Sequence, residues 1–363
     1  MKGKPRKYIS EHAVNICSAR WMMISAQQLM SDGEMSPEHK EISDLCHIYI
    51  ITKLPRINFR PDTTKYENGE VFGHLQYRIK GDLREVPFDS EFPLLDGAKA
   101  ARVSDQPHRE IRTFDDIGQL VRYLPANTIA FGSPVRIEHD ELNALEVLYV
   151  GQAFGDGDRT AFERLRSHST LQKILADVQA NYPDDEVYAL TFEYDYYRII
   201  TMMNGMVEAQ KSHDEDSARF YSIIENPLSD HQQICLVEAA LIRYFGPKYN
   251  AIYRDRFPSR SHKILAECYC LDFSALVVEI DTEELYFSLY SDHAVPSQHH
   301  ISQIDLVADE ERQGFFYFSD GKGEDFEMPD VIRAQEMPRV EEKKDGRLTN
   351  RCSGHLTRRL KCR

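Results

Sequence analysis

The chain lacks any apolar run approaching the roughly 18 residues that a membrane-crossing helix requires, so no membrane partner is expected. Its first residues include the basic Lys2, Lys4, Arg6 and Lys7, but Glu11, His12, Asn15 and Arg20 interrupt the segment beyond them. The unbroken apolar segment of a secretory signal is therefore missing, and a cytoplasmic location is the expectation. Cysteine is scarce: the seven are scattered and odd in number, which does not suit the disulfide framework of a secreted domain and predicts reduced thiols. Cys268 and Cys270, with His262 nearby, make half of a zinc-ligand pattern without a second half. On a strand the two would simply share a face.

Positive charge is in deficit, with 44 Lys and Arg against 59 Asp and Glu, a net charge of −15 and a pI near 5.4. Binding along phosphates through bulk charge relies on Lys and Arg, so that class is disfavoured, while a local basic groove is not. The chain also has no G-x-S-x-G elbow, no H-E-x-x-H and no Walker-type glycine loop. What is there is ordinary globular composition, 42% hydrophobic and 28% charged over 363 residues, enough for a sizeable core and two or three domains.

Residues 8–30 predict an amphipathic helix, and Ser36-Pro37 opens a second with Ser at the N-cap and Pro in the first turn. Strands are expected at 48–51, 71–79 and 86–95. Thr113-Phe114-Asp115-Asp116 reads as a capping box opening a short helix that ends before Pro125. Residues 1–125 are thus an N-terminal α+β region. Beyond it come a strand at 128–137, a turn at 139–143, a strand at 144–150 and a helix at 161–180, opened by the box Thr160-Ala161-Phe162-Glu163. A strand at 187–194 comes next, then an insertion near 203–231 marked by polar residues at 212–217 and by Asn226-Pro227, then a helix at 231–245. The ranges 275–280 and 285–290 predict a hairpin, with another strand at 315–318, so 263–333 is a β-rich extension. Residues 334–363 are basic and poor in apolar side chains, the composition of a disordered, solubilising tail.

Several chemistry-bearing residues recur in an ordered set. Tyr149-Val150-Gly151 closes a strand. Arg164 and His168 are four apart on one helix and so share a face, and Leu171 and Leu175 continue that stripe inward. An arginine fork pairs with phosphate oxygens, and a histidine beside it can move a proton. Glu238 falls on the apolar face of its helix, between Ile234 and Leu241. A carboxylate there needs a compensating cation: a divalent metal, or an ion pair such as one with Arg164.

Leu148-Tyr149-Val150-Gly151, Arg164-Leu165-x-Ser167-His168, Val237-Glu238-x-x-Leu241-Ile242 and Pro247-Lys248-Tyr249-Asn250 with Arg254-Asp255 together resemble the GIY-YIG nuclease superfamily, as found in the excision-repair incision subunit and homing endonucleases. The resemblance covers 126–256, and it implies a nuclease domain spanning 126–262. It implies an α+β fold with a small antiparallel sheet flanked by helices, and hydrolysis of phosphodiester bonds in nucleic acid, DNA above all. It further implies Glu238 as the ligand of Mg2+ or Mn2+, Arg164 as the phosphate partner, Tyr149 with His168 activating water, and Asn250 ordering the site. The family's first motif puts a tyrosine on the strand before Tyr149. The 135–138 window has none, and Glu138 stands about where that residue is expected. A module that keeps the fold but has lost the chemistry is the alternative. The N-terminal region would supply recognition or a protein partner.

Overall fold

The computed structural model describes residues 6–30, 37–95, 97–132, 139–153, 161–203, 209–259, 261–307, 312–319 and 325–333. In chain order the strands are β1 (Ser10–Ser25), β2 (Ile48–Pro55), β3 (Asn58–Phe59), β4 (Lys65–Glu67), β5 (Glu70–Ile79), β6 (Asp82–Glu91), β7 (Ala100–Val103), β8 (Glu110–Phe114) and β9 (Leu120–Pro125). They continue with β10 (Ala144–Gln152), β11 (Asp185–Met203), β12 (Ala275–Asp281), β13 (Ser288–Tyr290), β14 (His299–Asp305), β15 (Tyr317–Ser319), β16 (Asp325–Glu327) and β17 (Ile332–Arg333). The helices are α1 (Ala26–Met30), α2 (Pro37–Leu45), α3 (Ala126–Phe131), α4 (Ala161–Arg166), α5 (Ser169–Asn181), α6 (His213–Glu225), α7 (Asp230–Phe245) and α8 (Ala266–Cys270).

The protein is mixed α+β, built on an eight-stranded mixed sheet in the order β13-β10-β2-β11-β1-β12-β14-β17. This sheet draws strands from both sides of the boundaries expected at 125/126 and 262/263. Within it, β10, β2 and β11 are neighbours and antiparallel throughout. Alternation along β2 divides the core: Ile48 and Ile50 join the cluster that holds Ile234, Val237 and Leu241 of α7. Tyr49 and Ile51 join the one that holds Leu171, Ile174 and Val178 of α5. Between β2 and β10 the chain makes a long excursion, in which β3 to β6 form one small sheet, β7 to β9 another, and α3 leads back.

Several local expectations are corrected. Residues 8–30 form not a helix but mainly β1, with only α1 at its end. β1 pairs with β11 on one edge and β12 on the other, so it is an interior strand and its first seven residues are buried without alternation. The segment at 113–116 is the end of β8 and the start of the β8–β9 turn. The Asp115 carboxylate accepts from Ile117 N at 3.1 Å and Gln119 N at 2.7 Å, closing an Asx-type turn with Gly118 at φ 81°. Of the expected 128–137 strand, the part that is described belongs to α3, and 133–138, including Glu138, lies outside the described residues.

The polar 212–217 stretch opens a helix, α6, through a capping box between Ser212 and Glu215. β12 and β13 are not a hairpin, since β12 pairs with β1 and β14 while β13 pairs with β10. Cys268 and Cys270 lie on the short helix α8, the first buried and the second exposed. The 334–363 tail lies outside the described residues. Among the described residues, no helix is long and apolar enough to cross a membrane.

Candidate active site

The site begins with register. Gly151 of β10 stands opposite Tyr49 of β2, Val150 opposite Ile50 and Tyr149 opposite Ile51, so Tyr49, Tyr149 and Gly151 share one face. The two phenol rings stack with centroids 6.1 Å apart and planes 30° from parallel. Gly151 makes this packing feasible. A Cβ there would lie 2.6 Å from the Cζ and hydroxyl of Tyr49 and 2.8 Å from Cε1 of Tyr149. Tyr49 lies far upstream in sequence, yet on the strand next to Tyr149. Its only signal was the run His47-Ile48-Tyr49-Ile50-Ile51.

Tyr49 is fully buried, and among the described residues its hydroxyl has no hydrogen-bond partner. Burial pushes its phenol pKa up, with nearby Tyr149 and Glu238 adding to the effect and Arg164 opposing it. The Tyr149 phenol is raised in the same way, first by burial and then by Glu238. Both phenols are therefore neutral at pH 7.

Arg164 and His168 are not on one continuous helix as expected. α4 ends at Arg166, and His168 is the N-cap of α5, with φ −82° and ψ 115°. The Ser167-His168-Ser169-Thr170 run explains the break, since such side chains favour caps and turns over helix interiors. The break turns the imidazole onto the tyrosines, with centroids 5.5 Å from Tyr149 and 5.8 Å from Tyr49. Its Nδ1 is buried without a hydrogen bond among the described residues. Burial, and then Arg164, hold the imidazole below its ordinary range. A neutral His168 with a free nitrogen can accept a proton.

Glu238 is half-buried on α7. Burial pushes its carboxyl up to about 7, against the opposing effects of Gln152 and Arg164. Gln152 directly follows Gly151, and its amide nitrogen lies 3.5 Å from the thiol of Cys235, one helical turn before Glu238. Gln152 and Tyr49 were both absent from the candidates read in sequence. Tyr253 was too, and its phenol is raised by burial and by Glu238.

Asn250 sits differently from the others. It is buried, and both ends of its amide are engaged: Oδ1 accepts from Val150 N at 2.9 Å and Nδ2 donates to Val150 O at 2.8 Å. Tyr249 N donates to Leu148 O at 3.2 Å. β13 covers β10 only over Ala144–Glu146, and the β2–β10 register shifts between Val147 and Tyr149. The Pro247–Asn250 segment thus satisfies backbone groups that the sheet leaves open. The Tyr249 hydroxyl also bonds to Asp177 of α5, and Lys248 Nζ pairs with the same carboxylate at 3.1 Å. Asn250 therefore holds β10 in place.

The arrangement offers a titratable carboxyl, an arginine, a neutral imidazole and two neutral phenols around the end of β10. Among the described residues, no three His, Cys, Asp or Glu side chains gather as a metal cluster. In comparison with known proteins, no family model matches the chain, and no curated protein or solved structure matches it.

Proposed function

We propose that the protein is a metal-dependent endonuclease of the GIY-YIG type, hydrolysing phosphodiester bonds of nucleic acid, with DNA as the preferred substrate. The observation that carries this reading is Tyr49 lying over Gly151 beside Tyr149, in a group that also contains Arg164, His168 and Glu238. The antiparallel trio β10-β2-β11, with helices on both faces, supports it.

The residues fit a divalent ion. Glu238 is a carboxyl whose ionisation is opposed by burial, and a cation with oxygen ligands relieves that cost. Mg2+ keeps most of its water and takes one or two carboxylates plus substrate phosphate, so a single protein ligand suits it, and Mn2+ can substitute. When bound, such an ion neutralises phosphate charge and acidifies water.

The chain's own groups supply the rest. Arg164 binds a phosphoryl oxygen, neutral His168 takes the proton of the attacking water, and the phenols of Tyr149 and Tyr49 orient that water by hydrogen bonds. Gln152 orients the Glu238 carboxyl. The excursion between β2 and β10 and the strands beyond α8 are the parts we assign to substrate or partner recognition.

Incubation of the purified protein with Mg2+ or Mn2+ and single-stranded, duplex and branched DNA tests this, with Glu238→Ala alongside. Cleavage that is lost in Glu238→Ala is expected, and cleavage indifferent to that change would refute the assignment. A second reading, a binding module without turnover, draws on the two phenols held in their neutral form, which makes them weak bases. It requires calorimetry to find no divalent-ion uptake that depends on Glu238.

A further inference from the structure

Just before β1, Lys7 and Tyr8 line a cavity of about 870 Å3 together with Arg219 of α6 and Arg312. Three cations surround the one tyrosine ring: Arg219 Cζ lies 4.1 Å from its centre, Lys7 Nζ 5.2 Å and Arg312 Cζ 5.7 Å. Both arginines are more than nine-tenths buried, at 7% and 8% exposure. Arg219 donates to Ser10 O at 3.2 Å, but its Nε and Nη1 are unmet among the described residues, as is Nη1 of Arg312. Behind them Arg6 is buried as well, held by Gln313 and by Tyr317 O.

Among the described residues, the cavity wall carries fewer carboxylates than cations. Asp272 is the one carboxylate on the cavity wall among the described residues, and it is shared between Lys7 and Arg312, the latter at 2.7 Å. Asp216 is turned to the hydroxyl and amide of Ser10. Glu11, fully buried, lies 3.8 Å from Arg312. Burial pushes its carboxyl up, against the arginines. Buried guanidinium N–H groups without an acceptor are costly unless an anion completes them.

We propose that this cavity binds a phosphorylated small molecule. Its phosphoryl oxygens lie against Arg219, Arg312 and Lys7, because guanidinium forks match that geometry. Its organic part lies along the apolar and aromatic wall of Tyr269, Phe273 and Leu306. The cavity is remote from the tyrosine pair: β1 meets β11 at Ser10–Met203, whereas β2 meets it at Ile48–Phe192. That separation is roughly 35 Å along the strand at ~3.3 Å per residue. The proposal is therefore independent of the nuclease reading.

Calorimetry on the full chain at pH 7 tests it, with inorganic phosphate, adenosine 5′-monophosphate and adenosine as probes. Phosphate and the nucleotide should bind at one site and adenosine should not; a tighter nucleotide identifies the ligand as nucleotide-like, and equal affinities identify a bare phosphoryl anion. Lys7→Met, at a partly exposed position, should weaken binding ~10-fold. Asp272→Asn should tighten it by a few-fold, since it removes the competing carboxylate, and asparagine suits the φ of 58° at that position. No binding of either phosphate probe, adenosine binding as tightly as the nucleotide, or equal affinities in both variants would overturn the proposal. So would Lys7-dependent binding of an oligonucleotide without binding of the monophosphate.

Discussion

Replacing Glu238 by Gln should stabilise the metal-free protein and disable it together. The Glu238 carboxyl is raised from an ordinary 4.5 to about 7 by burial. Between those pH values the native state holds a proton that the unfolded chain has released, so this group's contribution to stability is complete below about pH 4.5, declines as pH rises, and is gone above about 7. At ~1.36 kcal/mol per unit, the ceiling on the ionisation cost is roughly 3 kcal/mol. Partial solvent access reduces this to about 1–3 kcal/mol. Glu238→Gln keeps the side chain's shape and removes the titration, so its advantage in melting temperature over the wild type should grow from near zero at pH 4.5 to a few degrees at pH 8, at ~2 °C per kcal/mol for a chain of this size. Adding Mg2+ should raise the wild type alone, by RT ln(1 + [Mg2+]/Kd), and narrow or reverse the order. Scanning calorimetry across that pH range, with and without Mg2+, reads all of this. A difference that does not vary with pH, or a Gln variant less stable at pH 8, would refute the account of Glu238 as a carboxylate awaiting a cation.

The same geometry sets four further outcomes. Gly151→Ala drives a Cβ into the Tyr49 ring; it should cost about 1–3 kcal/mol in chemical denaturation and displace the phenol. Tyr49→Phe removes a hydroxyl with no hydrogen bond among the described residues, so unchanged or slightly higher stability with a large loss of cleavage is expected, and equal losses in both would mean that Tyr49 is only core. Asn250→Ala strands the N–H and C=O of Val150; it should cost about 2–4 kcal/mol, read as a lower denaturant midpoint. Cleavage at limiting Mg2+ should rise with pH through about 7 as Glu238 loses its proton, and the midpoint should move to lower pH as Mg2+ is raised, because proton and cation compete for one carboxylate.

What could be read from sequence was what is local. β10 and α7 lie close to the strand expected at 144–150 and the helix expected at 231–245, and Gly246 ends α7 at φ 55°. The 8–30 segment was misread because β1 is covered on both edges and buried without alternation, which leaves no period of two to detect. Thr113 to Asp116 was misread because one short polar pattern serves both a helix cap and an Asx turn, and only the strands on either side decide between them. Arg164 and His168 do not share one helix, since the α4–α5 break lies within their four-residue spacing. Tyr49 was missed because its partnership with Gly151 exists only through strand register, which carries no signature in the intervening chain.

That register also explains how so long an excursion can separate the two tyrosines. β2 and β10 are antiparallel neighbours, so the chain leaves β2 at Pro55 and re-enters β10 at Ala144 at the same end of the pair, where Lys53 stands opposite Glu146 and bonds it at 2.9 Å. Lys53 also pairs with Asp185 at the start of β11, tying all three strands together there. Tyr49 and Gly151 lie at the other end. Closing a longer loop costs only ~0.6 kcal/mol for each doubling of its length. Residues 56–143 can therefore lengthen, or carry sheets of their own, without altering the Tyr49–Gly151 register, as long as the Lys53 end remains paired. Two tyrosines far apart in the chain can therefore stand side by side in its sheet.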